Sequence, residues 1–205
     1  MGTGRTDKLE YSAGAVSKGF WFQGFKKYNT LLNEGLKDKE IKKMQEEENI
    51  LLAPSASYGR RMINEISKRI RALPKEISSM FTDLSISDQK ILNILGIMMT
   101  DRLFFEFLYE DYREGLLLGK EEFQDSQIRS YFNRKAEQSE KVAGFSEGGK
   151  NRLRRAYKTY MREASLIKDR DGKSYYNRII LDLQLEELMK EELLPYLKAL
   201  TGGQD

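Results

Sequence analysis

The 205-residue chain contains no cysteine and no histidine. Their joint absence excludes Cys/His zinc sites, thiol nucleophiles, imidazole general bases and the Ser-His-Asp arrangement. A disulfide framework is excluded as well, and a reducing compartment, the cytoplasm, is the expected location. Any remaining chemistry would rest on carboxylate, Lys, Tyr or Ser side chains, or on an oxygen-liganded Mg²⁺ or Ca²⁺. Long apolar runs are missing too. The most apolar stretch, Ile91 to Met99, contains Asn93 and is bounded by Lys90, Asp101 and Arg102. A spanning helix needs about 20 apolar residues, so no membrane partner is expected. The opening residues, Met1-Gly2-Thr3-Gly4-Arg5-Thr6, fit the myristoylation pattern formally but resemble no secretory signal, and a flexible leader over 1–8 is the simpler expectation.

A strong charge of one sign is also lacking: 35 Lys and Arg stand against 32 Asp and Glu, a net +3. Any electrostatic argument must therefore rest on where the charges sit. With 40% hydrophobic and 33% charged residues, the chain suits a folded, helix-rich protein better than disorder or a β-sandwich.

Apolar residues Phe20, Phe25, Tyr28, Leu31 and Leu32 recur at helical spacing between Ser17 and Glu34, with Gly35 as a stop. A shorter helix from Asp38 to Glu47 follows, then a turn and cap at Pro54, Ser55 and Ser57, then a helix from Tyr58 to Leu73 ending at Pro74. Short helix, turn, basic helix outlines a helix-turn-helix over 9–84. The region 85–205 begins with a helix, or two in line, from Lys90 to Leu118. Ser87 is its expected cap, and it is apolar enough on all sides to be buried at the centre. Asp125 or Ser126 can cap a helix to Ala143, and Ser146 one from Glu147 to Ala164. Segments Leu166–Arg170 and Lys173–Leu181 flank Asp171-Gly172, a pair suited to a tight hairpin. A helix from Leu185 to Leu200 closes the chain. Helix, helix, hairpin outlines a winged helix. The expected fold is thus mostly α, with a helix-turn-helix-like N-terminal part, a buried central helix and a winged-helix-like C-terminal part.

Two helices gather the positive charge. On the one after Ser146, Leu153, Ala156, Tyr157, Tyr160, Met161 and Ala164 share a face, and Arg152, Arg154, Arg155, Lys158 and Arg162 take the opposite arc. Lys150 stands at its start, and Arg170 and Lys173 flank the hairpin tip. Between Ser146 and Arg178 ten Lys or Arg face four Asp or Glu, whereas Asp101 to Asp125 holds eight acidic residues against three basic. The helix after Ser57 repeats the design: Met62, Ile63, Ile66 and Ile70 point inward, while Arg60, Arg61, Asn64, Lys68 and Arg71 point out. Asn64 is of the type that pairs with adenine in the major groove. These faces are either solvated, or neutralised by the acidic stripe of the same molecule, or built to hold phosphates. No catalytic residue, metal site, cofactor or small-molecule substrate is expected.

Two motifs imitate enzymes. Gly144-Phe145-Ser146-Glu147-Gly148-Gly149-Lys150-Asn151 approaches a P-loop, but Asn151 replaces the Mg²⁺-binding hydroxyl and the preceding segment is charged and helical instead of a buried strand. The carboxylates Glu106, Glu110, Asp111 and Glu114 could hold a divalent metal, although helical spacing produces such stripes routinely and helix pairing explains them better. Trp21 is expected in the core, or as an anchor for a protein partner if exposed.

Four stretches carry a family resemblance: Tyr11-Ser12-Ala13-Gly14, Gly19-Phe20-Trp21-Phe22, Thr100-Asp101-Arg102-Leu103-Phe104-Phe105-Glu106-Phe107, and Ala136-Glu137-Gln138-Ser139-Glu140-Lys141-Val142. In this order they resemble the BrxA family of BREX bacteriophage-exclusion systems, over Leu9 to Leu200. The family was formerly labelled an inner-membrane one, which the hydropathy of this chain contradicts. The resemblance implies a helical fold similar to the antitermination factor NusB and a non-enzymatic, double-stranded DNA-binding role, with other BREX proteins as further partners. A protein-protein adaptor, or a binder of structured RNA like NusB, is the alternative. The resemblance brings no catalytic residues, and it does not extend to the hairpin from Lys168 to Arg178.

Overall fold

The computed structural model describes residue 6 and residues 8–203. A 3-10 turn at Gly14–Ser17 precedes α1 (Phe22–Asn33), which begins at Phe22 instead of Ser17. The cause is distant in sequence: the Arg69 guanidinium takes the carbonyls of Gly19 (2.9 Å) and Phe20 (3.0 Å), which a continuous helix would have used internally. Gly35, at φ 96°, terminates the segment. After α2 (Asp38–Glu48) the chain turns through Asn49, whose side-chain oxygen accepts the Ala53 amide at 2.9 Å. Helix α3 (Ala56–Ala72) is capped by Ser55, which accepts the Tyr58 amide, and Leu73 is extended as the following proline requires.

A short helix α4 (Lys75–Ser79), absent from the periodicity, leads to α5 (Ile86–Thr100). Its cap is Ser85 and not Ser87, since the Ser85 hydroxyl accepts the Asp88 amide at 3.2 Å. Residues 91–99 of α5 are all buried, the central helix of the fold. Asp101 is extended and caps α6 (Arg102–Phe107), which passes through a π-helical turn at Leu108–Tyr112 into α7 (Arg113–Leu117). The expected long helix is therefore two helical stretches parted at Asp101.

Strand β1 (Glu122–Phe123) is followed by α8 (Asp125–Gln138), α9 (Glu140–Ala143) and α10 (Glu147–Glu163). Ser139 separates α8 from α9 because it is extended and caps the latter. Strands β2 (Ile167–Arg170) and β3 (Lys173–Tyr176) pair antiparallel with Arg170 opposite Lys173. At their tip Asp171 (φ 53°) and Gly172 (φ 75°) are both left-handed, the signature of the two-residue hairpin turn. Strand β1, which the sequence pattern did not suggest, adds to the other edge of β3, giving the order β1-β3-β2. The final helix is divided at Leu193 into α11 (Leu183–Glu192) and α12 (Leu194–Thr201), with Pro195 in the first turn of α12, where its missing N–H costs nothing.

The result is a mostly helical protein with one small antiparallel sheet. One buried cluster runs from Ala15 to Leu200 without interruption. Helices α3 and α5 pack closely: a Cβ on Gly96 would lie 3.0 Å from the Arg69 carbonyl oxygen. Of the leader expected over 1–8, residues 1–5 and 7 lie outside the described residues, while Thr6 is buried with its hydroxyl against that of Tyr196. Among the described residues no helix is long and apolar enough to cross a membrane.

Candidate nucleic-acid interface

The amphipathic pattern of α3 places Met62, Ile63, Ile66 and Ile70 in the core. Arg60, Arg61, Asn64, Lys68 and Arg71 are all exposed. Arg61 lies over the Tyr58 ring (4.9 Å), and Arg71 approaches the Ser67 carbonyl at 3.4 Å. Arg60 and Lys68 have no carboxylate partner among the described residues.

On α10, Leu153, Tyr157, Tyr160 and Met161 are buried, Tyr157 against Phe104, Phe107 and Phe132 of the core and Tyr160 against Phe104. The cations divide by partner. Lys158 pairs with Asp125 and Arg162 with Asp169, each at 2.7 Å, and Lys150 with Glu147 at 3.0 Å. Arg154 donates to Asn151. Arg152 and Arg155 are exposed and, among the described residues, have no carboxylate partner. At the hairpin, Arg170 stacks over Tyr175 (4.7 Å), and Lys173 pairs with Glu122 at 2.8 Å, which raises its pKa.

The acidic stripe does not neutralise either basic helix. Glu106 accepts from Arg102 (2.7 Å) and Lys135 (2.6 Å), Glu110 from Lys135 (2.6 Å), and Asp111 from Arg134 (2.6 Å). Burial pushes the Glu106 carboxyl up, but hydrogen bonds from Lys135, Arg102 and Tyr11 together hold it below its usual value. The stripe is a clamp between the π-helical turn and α8, and the described residues contain no group of acidic side chains arranged to hold a metal ion. The P-loop imitation is likewise structural. Helix α9, not a strand, precedes it, and Ser146 uses its hydroxyl to cap α10 by accepting the Gly149 amide at 3.1 Å.

Three contributors escaped the sequence pattern. Lys18 pairs with Glu65 of α3 at 2.9 Å and lines a cleft of about 300 Å³ together with Arg152 and Arg155 of α10. The segment 14–19 thus lies beside Arg152 and Arg155 of α10 and reaches α3 through the Lys18–Glu65 pair. Arg69 stands seven residues after Met62 and three after Ile66, on the core side of α3, and is buried beneath Trp21, which is itself partly exposed and donates to the Tyr58 hydroxyl. Asp101 lies below the same junction, and burial pushes its carboxyl up to about 6, against the opposing pull of the Phe104 amide, Lys18 and Lys68. Only the packing of α3 on α5 reveals these last two roles.

Fold and site define a class: a mostly helical protein with a small antiparallel sheet, whose surface cations are concentrated on two helices. The chain belongs to the BrxA family, whose model matches residues 9–192. A curated relative from Bacillus cereus (strain H3081.97), "BREX protein BrxA", is 29% identical over 177 residues, covering 86% of this chain and 88% of the relative. Among solved structures, an uncharacterised protein from Magnetospirillum magneticum superposes with a TM-score of 0.75, at 15% identity, over 95% of this chain and all of that one. That likeness is one of fold.

Proposed function

We propose that the protein is a non-enzymatic, double-stranded DNA-binding accessory component of a BREX phage-defence system, acting beside other BREX proteins. The observation that carries this reading is the connectivity from α6–α7 to β3. Helix, strand, helix, a single turn of helix (α9), helix, strand, strand, with the first strand beside the last, follows the order of a winged helix with α9 inserted between its two central helices. Helix α10 then stands where such modules place the helix that enters the major groove. The arc from Arg154 through Lys158, Arg162 and Arg155 to Arg152 faces the duplex, and Arg170 and Lys173 form the wing tip. Lys18, beside Arg152 and Arg155 and paired with Glu65 of α3, and the exposed Arg61 and Lys68 of α3 would extend the cationic surface beyond one helix. Membership in the BrxA family, and the name of the Bacillus cereus relative, supply the defence setting.

Because most of these side chains suit phosphates and few suit base edges, sequence preference is weak and affinity falls steeply with salt. Gel shifts of a duplex and of an RNA duplex of equal length, across a salt series, test the reading. Arg154→Glu with Arg155→Glu weakens duplex binding at least about ten-fold while helical content stays unchanged. Undiminished binding by the double variant would remove α10 from the interface.

A further inference from the structure

A cleft of about 650 Å³ lies between the β2–β3 hairpin and the chain from Leu116 to Glu121. Only Arg170 is shared with the duplex-binding surface described above. Four cations line the cleft, Lys120, Lys168, Arg170 and Arg178, against two carboxylates, Glu121 and Asp169. Asp169 is already engaged by Arg162 and by the Ser174 hydroxyl, each at 2.7 Å. Lys120 and Lys168 have no carboxylate partner among the described residues. The cleft therefore carries uncompensated positive charge.

Its walls are aromatic and fixed. In the strand register Lys168 lies opposite Tyr175, so Lys168, Arg170 and Tyr175 share one face of the sheet. Tyr176 is held by a 2.7 Å hydrogen bond from Gln127 and sits against Gly115, where a Cβ would come within 2.1 Å of the tyrosine hydroxyl oxygen. Arg178 bridges to the Leu116 carbonyl at 2.7 Å and ties the end of the hairpin to α7.

A cleft of this size suits a small molecule or a single nucleotide unit. An inorganic anion would leave the tyrosine wall unused, and a neutral aromatic molecule would leave the lysines uncompensated. Both features are satisfied by a ligand that joins a flat ring to a phosphate, since ammonium and guanidinium groups bind phosphate oxygens and tyrosine faces accept bases regardless of sequence. We propose that this cleft binds a nucleoside phosphate, its phosphate held by Lys120, Lys168 and Arg178 and its base against Tyr175. The unit comes either as a free nucleotide or as an unpaired nucleotide of a strand, and the site is separate from the α10 surface.

Calorimetric titration of the full chain with AMP, adenosine, inorganic phosphate and a single-stranded tetranucleotide tests this. Saturable binding of AMP or of the tetranucleotide is expected, about ten-fold tighter than adenosine or inorganic phosphate alone. Saturation by AMP identifies the free nucleotide as the source, and saturation by the tetranucleotide alone identifies the strand. Lys120→Glu with Lys168→Glu, both exposed, reduces that affinity by about ten-fold. Tyr175→Leu, which keeps an apolar strand residue, reduces it by about five-fold without changing the weak affinity for phosphate. Arg154→Glu with Arg155→Glu leaves it unaltered, so loss of duplex binding in that variant is distinguishable from loss of this site. Absence of saturation by both ligands, or equal affinity in the Lys120→Glu, Lys168→Glu variant, overturns the proposal.

Discussion

Arg69 and Asp101 show how single side chains organise the ground beneath the basic surface. The Arg69 guanidinium serves the Gly19 and Phe20 carbonyls and lies 3.9 Å from Glu65, which also receives Lys18. Removing it strands the Gly19 carbonyl, since Phe20 keeps the Asn93 amide at 2.7 Å, and leaves Glu65 with one cation. Arg69→Leu should lower stability by about 3 kcal/mol, read from urea unfolding. Asp101 gives a pH signature. Its carboxyl is raised to about 6 in the folded protein, so the native state holds this proton more tightly than the unfolded chain. The associated stability is fully present below about pH 4 and is lost as pH rises through 6. Asn caps a helix as well as Asp does and carries no charge. Asp101→Asn should therefore match the wild type in stability near pH 4 and exceed it by about 1–3 kcal/mol at pH 7.5. Parallel stability profiles for the two proteins would contradict this.

Close approach and anchoring dominate at the level of elements. Helix α3 can lie against α5 because residue 96 has no side chain, and the atoms that a Cβ would meet, the Cβ and carbonyl of Arg69, are fixed by the α3 backbone and have little room to yield. Gly96→Ala is expected to cost about 1–3 kcal/mol in thermal or denaturant unfolding, despite the higher helix propensity of alanine. The hairpin has its own anchor. The buried Tyr112 hydroxyl, on the π-helical turn, donates to the Leu166 carbonyl at 2.8 Å, just before β2 begins. Tyr112→Phe should cost about 1 kcal/mol and speed hydrogen exchange in β2 and β3 more than in α3. Uniform acceleration across the protein would mean that this bond does not act locally.

Taken whole, the molecule is nearly neutral yet keeps its charges sorted. Five of the eight carboxylates from Asp101 to Asp125 are spent on Arg102, Arg134, Lys135, Lys158 and Lys173, and Arg152, Arg155, Arg60 and Lys68 have no carboxylate partner among the described residues. Each phosphate contact contributes about −0.9 to the slope of log affinity against log salt. A duplex footprint using these cations and one more of the α10 arc, about five in all, predicts a slope near −4 to −5, and Arg152→Glu with Arg155→Glu should flatten it by about 2. A slope unaffected by that change would place the contacts elsewhere, on α3 or the hairpin.

Local pattern was enough for most of the helices, though not for α4 or for the breaks at Ser139 and Leu193, and for the hairpin turn at Asp171-Gly172, the cap at Ser146 and the division of α3 and α10 into apolar and cationic faces. All of these are local: a period of 3.6, a side-chain oxygen next to a free amide, or a left-handed residue pair is written within a few positions. The exclusion of Cys and His chemistry was equally legible, because it needs only composition. Long-range packing was needed to see that β1 completes the sheet, that Arg69 serves the Gly19 and Phe20 carbonyls, and that Lys18 pairs with Glu65 beside Arg152 and Arg155. It also decided that Lys158 and Arg162 are already paired, whereas Arg152 and Arg155 have no carboxylate partner among the described residues. These outcomes depend on groups tens of residues apart meeting in space, and no period or spacing along the chain encodes which charges will meet.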